Sequence, residues 1–299
     1  MVEATEEEKT LPGVTKVLDF LQQSNCTRQS VLITIGGGII QDIGAFASHV
    51  YYRGIKWIFI PTTLLAMSDS CIGAKCGINF HRFKNQLGVF HSPTQVFVCL
   101  KFLDTLSDND VLSGYGEILK LLLTGSAELF ERLKNSVVSE GLRNKNLSEL
   151  VYQSLKVKKG VIEVDEYETD LRRILNYGHT FGHALEAIAE YEIPHGLAVA
   201  WGVDLANWIA YRRGMLSERD FKEIHEFIAK QFHFRLSRNI STNELIQGVQ
   251  RDKKISDGKI SLILMEHFGS LKILPTPFDS SLEASVDEYL EHYNVISSD

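Results

Sequence analysis

The first third of the chain carries short, strongly apolar runs separated by a longer amphipathic segment. VLITIGG (31–37) is a β-branched run that ends in glycines, KWIFIP (56–61) is a second run stopped by its proline, and QVFVCL (95–100) is a third. Between the first two runs, DIGAFASHVYY places apolar residues at helical spacing. Apolar runs of this length, bounded by turn residues, are typical of strands buried in a parallel sheet. The pattern therefore predicts an α/β unit with the order strand, glycine turn, helix and strand.

From residue 108 onward the pattern becomes helical. Apolar residues recur at helical spacing in LSGYGEILKLLLTG, SELVYQSLKVKKGVIEV, LNYGHTFGHALEAIAEY and AVAWGVDLANWIAYRRG. KISLILMEHFGSLKIL (259–274) is an exception that predicts a small strand pair. A boundary near LDTLSDND (103–110) divides the chain into an α/β domain of residues 1–107 and a helical domain of residues 108–299. Residues 1–30 predict only a loop and one helix, so we expect the α/β domain to lack its first strands.

Composition excludes several classes of protein. The 299 residues are 44% apolar and 23% charged, which is typical of a folded, water-soluble chain. Lys and Arg total 31 against 38 Asp and Glu, and a net charge of −7 argues against nucleic acid as a partner. Charged residues interrupt every long apolar stretch, so no membrane span is predicted. MVEATEEEKT lacks the apolar core of a signal peptide and the four cysteines form no CxxC pair, which together predict a cytoplasmic protein.

Two segments of the α/β domain carry candidate binding residues. The glycines at 36–38 follow the first strand, where backbone N–H groups can approach a phosphate at a helix N-terminus. PTTLLAMSDSCIGAKCGINFHRFKN (61–85) follows the second strand, at the edge of the sheet where open α/β folds bind ligands. Its Lys75 and Lys84 favour an anionic ligand. A tight turn and a solvated surface loop are the structural alternatives for these two segments.

The helical domain carries the strongest chemical signal. Glu117 lies in GYGEILK, His179 and His183 lie in NYGHTFGH, and His195 lies in IPHG. The HxxxH spacing places two imidazoles on one helix face, and a glutamate can supply a third ligand. A set of two histidines and one carboxylate with an open position is typical of a catalytic zinc site. Spacing alone favours His179 with His183 and leaves the choice between the histidines open.

Further polar residues accompany this set. If one helix runs through the segment, Arg172, Asn176, His179 and His183 form a single stripe at i, i+4, i+7 and i+11. A polar stripe within an apolar unit predicts a ligand cavity, because unpaired buried polar groups are costly. An exposed face of a surface helix is the alternative. Nearby candidates on other stretches are Lys120, Lys158 and Glu168.

Together these stretches resemble the dehydroquinate synthase family, the sugar-phosphate cyclases. The matching runs, in chain order, are GGGIIQDIGAFASHVYYRG, PTTLLAMSDSCIGAKCGIN, KNQLG, GEILK, DEYETDLRRILNYGHTFGHALE, HGLAVAWG and RDKK. The resemblance extends from residue 6 to the C-terminus. It implies a nucleotide-binding α/β domain followed by a helical metal-binding domain, with the active site in the cleft between them, in a homodimer.

The resemblance also implies a role for individual positions. Zinc, with cobalt as an alternative, would be held by Glu117, His179 and His195, so the second ligand histidine is the one in HG rather than His183. NAD contacts would come from Glu6, Lys9, Gly37, Gly38, Ile39, Asp42, Thr62, Thr63, Leu65, Asp69, Lys84, Phe102 and Thr105. Substrate contacts would come from Asp69, Lys75, Asn85, Lys120, Lys158, Glu168, Arg172, Asn176 and His183. Phosphate would be bound by Arg53 and by Lys253 or Lys254.

The implied reaction is a phosphate-eliminating cyclisation. NAD assists oxidation of a ring hydroxyl, phosphate is eliminated, the ketone is reduced again and an intramolecular aldol step closes the ring. Lys158, Arg172 and His183 match positions that hold a carboxylate, which favours a phosphorylated seven-carbon sugar acid, 3-deoxy-arabino-heptulosonate 7-phosphate, as substrate and 3-dehydroquinate as product. NFHRFKNQLGVFHSP resembles the branch that uses neutral sugars. A cyclase acting on sedoheptulose 7-phosphate is therefore one alternative. A metal-dependent polyol dehydrogenase of the same fold superfamily is another, and the expected lack of the first strands adds a shortened non-catalytic homologue.

Overall fold

The structure is a computed structural model with two units, Met1–Val111 and Leu112–Asp299. The first unit is built on strands and the second mainly on helices, as the hydrophobic pattern predicts. The residues described are 1–81, 83–190, 192–236, 238–251, 255–256 and 258–293.

A three-stranded parallel sheet organises the first unit. Strands β1 (Val31–Gly36), β2 (Lys56–Pro61) and β5 (Gln95–Val96) lie in the order β1-β2-β5. Helix α2 (Gly38–Val50) follows β1 directly and packs on β1 and β2. The three predicted strands and the helix between the first two are confirmed. The third strand is shorter than its apolar run, because regular pairing with β2 ends at Val96.

The remainder of the first unit contains a helix and a hairpin. Helix α1 (Leu11–Gln23) precedes the sheet, in agreement with the loop and helix expected for the first thirty residues. Strands β3 (Lys75–Phe80) and β4 (Phe83–Phe90) pair antiparallel within and beyond the segment expected to be a loop. The alternation of buried Cys76 and Ile78 shows why this segment pairs as a strand.

Helices make up most of the second unit. Their bounds are α3 (Asp108–Gly125), α4 (Ala127–Glu140), α5 (Leu147–Ile162), α6 (His179–Ile188), α7 (His195–Arg212), α8 (Glu218–Gln231), α9 (Thr242–Gln250) and α10 (Ser280–His292). Helix α7 is the centre of this unit, because its residues from Gly196 to Ala210 are all buried. Within the described part of the chain, no helix has both the length and the apolarity that crossing a bilayer requires.

A small antiparallel sheet completes the second unit. Strands β7 (Lys259–His267) and β8 (Ser270–Pro277) form the pair predicted at 259–274, and β6 (Ile255–Ser256) adds a third strand. The turn between β7 and β8 uses Gly269 at a φ of +80°, a conformation that favours glycine. Strand β7 packs on α7.

A buried polar network lies between α7, α8 and α10. Asp204 is inaccessible to solvent, its Oδ2 accepts a hydrogen bond from Tyr289 Oη at 2.6 Å, and it lies 2.8 Å from His225 Nδ1. Burial opposes a charge on His225, but the hydrogen bond and the negative charge of Asp204 outweigh burial and raise the pKa of the imidazole above 6.5. The protonated imidazole and the carboxylate therefore stabilise the packing of α8 on α7.

This network makes the stability of the second unit depend on pH. Because the pKa of His225 is raised by folding, its contribution is fully present below the unfolded pKa and is lost as pH rises through the folded pKa. Urea unfolding of the wild type and His225→Gln at about pH 6 and about pH 8.5 should show a deficit in the variant that is larger at the lower pH. A deficit that grows with pH would contradict the assignment.

Candidate functional site

Two helices of the second unit touch through their backbones at glycines. A Cβ added to Gly196 on α7 would lie 1.7 Å from the carbonyl oxygen of Ser113, and one added to Gly116 on α3 would lie 1.9 Å from the carbonyl oxygen of Gly196. No other residue fits at such distances, so the crossing of α3 and α7 requires glycine. The crossing brings the neighbours of these glycines, Glu117 and His195, to the same place.

Helix α6 approaches α7 in the same manner. A Cβ added to Gly202 on α7 would lie 2.0 Å from the carbonyl oxygen of Gly178, which precedes α6 in a left-handed conformation with a φ of +77°. The predicted continuous stripe is wrong at this point, because a 3-10 turn at Leu171–Asn176 and Gly178 separate the segment before His179 from α6. The break allows the close approach to α7 and places His179 at the start of the helix.

The crossing of the three helices gathers the predicted metal-binding side chains. The imidazole centroids of His179, His183 and His195 lie 5.1 to 5.7 Å apart, and a nitrogen of each lies within 4.8 Å of the others. Glu117 Oε1 lies 3.4 Å from Nε2 of His179 and 3.1 Å from Nε2 of His195. The four residues converge although 78 positions separate Glu117 from His195.

The charge on Glu117 is stabilised entirely by side chains. Burial alone would raise its pKa, but the ammonium of Lys120 and the imidazole of His179 hold it well below the usual range. Lys120 Nζ contacts Oε2, yet both carboxylate oxygens are buried without a hydrogen bond of regular geometry. A buried carboxylate and adjacent imidazoles form the donor set that zinc and cobalt ions prefer. The residues present therefore fit a divalent metal ion.

The second nitrogen of each neighbouring imidazole is also held. Nδ1 of His179 lies 3.1 Å from the carbonyl oxygen of Tyr177, and Nδ1 of His195 lies 3.2 and 3.3 Å from the two oxygens of Glu186. Such contacts fix the ring orientation of metal-binding histidines. Burial opposes a proton on His195, but Glu117 and Glu186 raise its pKa to about 10. The carboxylates that stabilise a proton on His195 would also stabilise a metal cation bound there.

Glu186 is not among the residues predicted from the sequence. It lies seven positions after His179 on α6, a spacing that returns to the same helix face. A carboxylate on the face of a candidate ligand histidine is the signal that could have identified it. The contact with His195 comes from the pairing of α6 with α7, which spacing within α6 does not encode.

A small apolar cluster positions the remaining predicted residues of the second unit. Leu121 on α3, Val161 on α5 and Leu175 in the 3-10 turn pack against one another. Each is close in sequence to a predicted polar residue, and these are Lys120, Lys158 and Asn176. Lys120, Lys158 and Arg172 are all buried, and buried cations of this kind are suited to bind an anion. Asn176 Nδ2 donates to Glu168 Oε1 at 2.5 Å.

In the first unit, the predicted glycines lie where two strands end. Gly37 caps the N-terminus of α2, and a Cβ there would lie 2.9 Å from the side chain of Thr63. A Cβ on Gly38 would meet nothing within 4 Å, so its backbone faces open space. The N–H of Thr62 donates to the carbonyl oxygen of Gly36 at 2.9 Å. The other predicted residues of this region are Ile39 in α2, Leu65 and buried Asp69.

Asn79 on β3 joins several predicted residues of the first unit, although the sequence does not single it out. Its Nδ2 donates to Glu6 Oε1 at 2.8 Å, and its Oδ1 accepts from the N–H of Asn85 at 2.9 Å. Lys84 Nζ lies 3.8 Å from Glu6 Oε1. Asn85 has a φ of +50°, so the hydrogen bond that its N–H donates to Asn79 supports a left-handed backbone conformation at a predicted substrate residue.

A buried ion pair extends the same network. Lys9 Nζ lies 3.1 Å from Asp42 Oδ2, and Asp42 Oδ1 accepts from the N–H of Gly77 at 3.1 Å. Lys75 begins β3 and is exposed. Among the described residues no hydrogen bond or ion pair links this network to three other predicted residues, Arg53, Phe102 and Thr105, which lie in exposed turns. Lys253 and Lys254 lie outside the described residues.

Comparison with known families matches both units. A family model described as 3-dehydroquinate synthase N-terminal matches residues 1–113, and one described as 3-dehydroquinate synthase C-terminal matches residues 114–255. The 3-dehydroquinate synthase of Dictyoglomus turgidum is 38% identical over 273 residues, which cover 90% of this chain and 76% of that protein.

Solved structures give the same likeness. The 2-epi-5-epi-valiolone synthase of Streptomyces hygroscopicus, with NAD+ and Zn2+ bound, aligns with a TM-score of 0.87 and 27% identity, over 97% of this chain and 82% of that one. A 2-deoxy-scyllo-inosose synthase complexed with carbaglucose-6-phosphate, NAD+ and Co2+ aligns with a TM-score of 0.87 and 26% identity, over 96% of this chain and 81% of that one.

The glycine crossing can be tested by substitution. Gly196→Ala forces a Cβ against the backbone of α3, so it should lower the free energy of unfolding by about 1–3 kcal/mol in urea titrations. Gly160→Ala is the matched control, because a Cβ at this exposed position on α5 meets nothing within 4 Å. The control should leave stability unchanged or raise it by at most about 1 kcal/mol. Equal effects of the two substitutions would refute the crossing.

Proposed function

The chain belongs to the 3-dehydroquinate synthase family, and on that premise we propose that it converts 3-deoxy-arabino-heptulosonate 7-phosphate into 3-dehydroquinate and inorganic phosphate. The observation that carries the proposal is the convergence of His179 and His195 on the buried carboxylate of Glu117. Bound groups of the related synthases, NAD+ with Zn2+ or Co2+, fit the two candidate regions of this chain. The enzyme is thus a carbon–oxygen lyase that uses NAD without consuming it.

We assign the metal ion to Glu117, His179 and His195. Both imidazoles direct Nε2 to the same oxygen of Glu117, and their Nδ1 atoms are held by Tyr177 and Glu186. When bound, zinc would polarise the ring hydroxyl that is oxidised, and NAD would supply the acceptor and donor of hydride. Lys120 keeps Glu117 anionic, as a metal ligand must be.

His183 has a separate role in this proposal. Its imidazole lies beside the other two but is the exposed member of the three. An exposed imidazole at the rim of a metal site can hydrogen-bond a substrate while the two less exposed imidazoles bind the ion. We therefore place His183 among the substrate contacts, together with Lys158 and Arg172, which bind the substrate carboxylate.

The first unit supplies the NAD contacts. The open backbone at Gly38, at the N-terminus of α2, suits a pyrophosphate, and Thr62 and Thr63 lie beside it at the end of β2. The remaining NAD contacts proposed here are Glu6, Lys9, Gly37, Ile39, Asp42, Leu65, Asp69, Lys84, Phe102 and Thr105. Lys75 and Asn85 contact substrate, and Arg53 with Lys253 or Lys254 binds phosphate.

The buried cations of the second unit favour an acidic substrate. Arg172 is 3% exposed and Lys158 is 7% exposed, so a carboxylate bound by either is removed from competing water. Arg172 offers the planar fork that pairs with both oxygens of a carboxylate. The side chains of Glu168 and Asn176 hydrogen-bond to each other, and in this proposal they orient substrate hydroxyls.

A neutral sugar phosphate is the second candidate substrate. The likeness to 2-deoxy-scyllo-inosose synthase, solved with carbaglucose-6-phosphate, favours it, since that ligand carries no carboxylate. Sedoheptulose 7-phosphate is the corresponding seven-carbon compound. The acidic candidate has a carboxylate where the neutral one has a hydroxymethyl group, and it lacks the hydroxyl at C3. A comparison of turnover on the two compounds separates the candidates.

The proposal extends to assembly and location. The family resemblance implies a homodimer, which sedimentation of the purified protein measures. None of the four cysteines forms a disulfide, which fits the reducing cytoplasm. We therefore propose a cytoplasmic homodimer.

Turnover is the first test. Purified protein with zinc, a catalytic amount of NAD and 3-deoxy-arabino-heptulosonate 7-phosphate should release phosphate and form 3-dehydroquinate, with no net reduction of NAD. A phosphate assay measures turnover, and absorbance at the nicotinamide band shows whether NAD has been reduced. Release from sedoheptulose 7-phosphate alone would replace the acidic substrate with the neutral one. If neither substrate releases phosphate and calorimetry detects no NAD binding, the protein is a non-catalytic homologue.

Metal content tests the ligand assignment. His195→Ala should reduce the zinc bound after dialysis to less than about one tenth of the wild-type amount, since it leaves two ligands. His183→Ala is the matched control from the same cluster, and it should keep the zinc and lose turnover. Elemental analysis and phosphate release on the same samples separate the two effects. The reverse pattern would move the second ligand histidine to His183.

A further inference from the structure

One carboxylate of the second unit lies between the helix that carries Lys158 and the turn that carries Arg172. Asp165 follows the end of α5 by three residues, and its N–H donates to the carbonyl oxygen of Val161 at 3.1 Å. The residue is 9% exposed. It therefore continues the last turn of α5 and anchors the segment that leads to the 3-10 turn.

The side chain of Asp165 accepts four hydrogen bonds from the segment 169–172. Oδ1 accepts from the N–H of Thr169 at 3.0 Å and from its hydroxyl at 3.2 Å. Oδ2 accepts from the N–H of Asp170 at 2.8 Å and from the N–H of Arg172 at 3.0 Å. A carboxylate offers about four acceptor positions, so the segment fills its capacity. Asp165 can act on a ligand only through the residues it holds.

These hydrogen bonds also fix the charge on the carboxylate. Burial opposes ionisation, but the N–H groups of Asp170, Thr169 and Arg172 lower the pKa of Asp165 to about 2. Hydrogen bonds to an ionised acceptor are stronger than those between neutral groups. The segment is thus held by an ionised carboxylate at neutral pH.

The held segment contains a backbone conformation that needs support. Glu168 has a φ of +58°, a left-handed conformation disfavoured for residues with a Cβ. Such conformations persist where surrounding contacts determine them, and they cluster at functional sites. The hydrogen bonds to Asp165 begin at the next residue, Thr169, and the Glu168 side chain meets Asn176.

Arg172 is fixed from both ends by the same segment. Its N–H donates to Asp165, and its Nη1 donates to the carbonyl oxygen of Glu166. With 3% exposure, the guanidinium has little freedom to reorient. Both the backbone and the charged end of Arg172 therefore depend on residues 165 and 166.

From these contacts we propose that Asp165 is a positioning residue, which locks residues 166–172 in the conformation that presents Glu168 and Arg172 to the substrate. This role rests on the proposed function, in which those two residues bind the sugar phosphate. The anchor lies just beyond the end of α5 and is independent of the proposed metal ligands on α3, α6 and α7. Loss of the anchor should weaken substrate binding and leave the metal in place.

The test compares substitutions in the zinc-loaded enzyme with saturating NAD. Asp165→Asn keeps the size of the side chain but turns an NH2 group toward N–H donors. Displaced binding groups cost about 10- to 100-fold in rate, so kcat/KM for the heptulosonate phosphate should fall by that factor, mainly through KM. Zinc content should be unchanged. Exchange of the amide hydrogens of Thr169, Asp170 and Arg172 should become at least about tenfold faster.

Two controls separate positioning from general stability. Asp170→Asn removes a carboxylate from the same segment and leaves its N–H bond to Asp165 intact. Val286→Ala destabilises the unit from α10, where Val286 is fully buried. Both controls should keep the wild-type KM and the slow exchange at residues 169–172. If Asp165→Asn loses stability as Val286→Ala does, with unchanged KM and exchange, the positioning role is wrong.

A milder variant covers the case in which Asp165→Asn does not fold. Thr169→Val removes only the hydroxyl donor to Oδ1 and should raise KM about two- to tenfold. A wild-type KM in that variant would then overturn the proposal. If the wild type releases no phosphate from this substrate, the proposed function fails and hydrogen exchange decides the positioning role alone. Fast exchange of these amides in the wild type would exclude it.

Discussion

Direct contact between helix backbones is the constraint on which the second unit depends. Carboxylate and imidazole side chains are short, so residues on different helices share a metal only if the helix axes come unusually close. Each proposed ligand accordingly has a glycine beside it in sequence: Gly116 precedes Glu117, Gly178 precedes His179 and Gly196 follows His195. A Cβ at any of the three would meet backbone at under 3 Å. The three glycines allow the helix backbones to come close enough for the side chains of Glu117, His179 and His195 to meet.

Close packing of these helices also buries charge, which the site must balance. Glu117 is anionic although it is buried, and its neighbours are Lys120, His179 and His195. Burying a charge is unfavourable unless opposite charge and hydrogen bonds compensate it. Here opposite charge is supplied, but regular hydrogen bonds to the carboxylate oxygens are not. A divalent metal ion would supply the missing interaction, because it can bind directly to the carboxylate oxygens and the imidazole nitrogens.

Periodicity predicted the parallel strands and most of the helices, but it did not predict the β3–β4 hairpin or the break before α6. It also does not encode the contacts between elements. The helices, the parallel strands and the convergence of Glu117 with the histidines follow from local patterns and resemblance. HxxxH spacing describes one helix face and therefore favours His179 with His183, whereas the place of His195 depends on how α7 crosses α3. Asn79 and Asp165 act through backbone N–H groups brought near by turns, and no spacing rule encodes such turns.

Two buried carboxylates of the second unit show what distinguishes a ligand from a structural anchor. Asp165 and Glu117 both have a lowered pKa. For Asp165 the cause is a set of fixed N–H dipoles that fill its acceptor positions, so a metal ion could bind only by unfolding the segment. For Glu117 the cause is a set of charged and titratable side chains. These side chains can move or lose a proton when a cation binds, while the backbone stays in place. The kind of donor around a buried carboxylate, rather than its pKa, distinguishes the proposed metal ligand from the structural anchor.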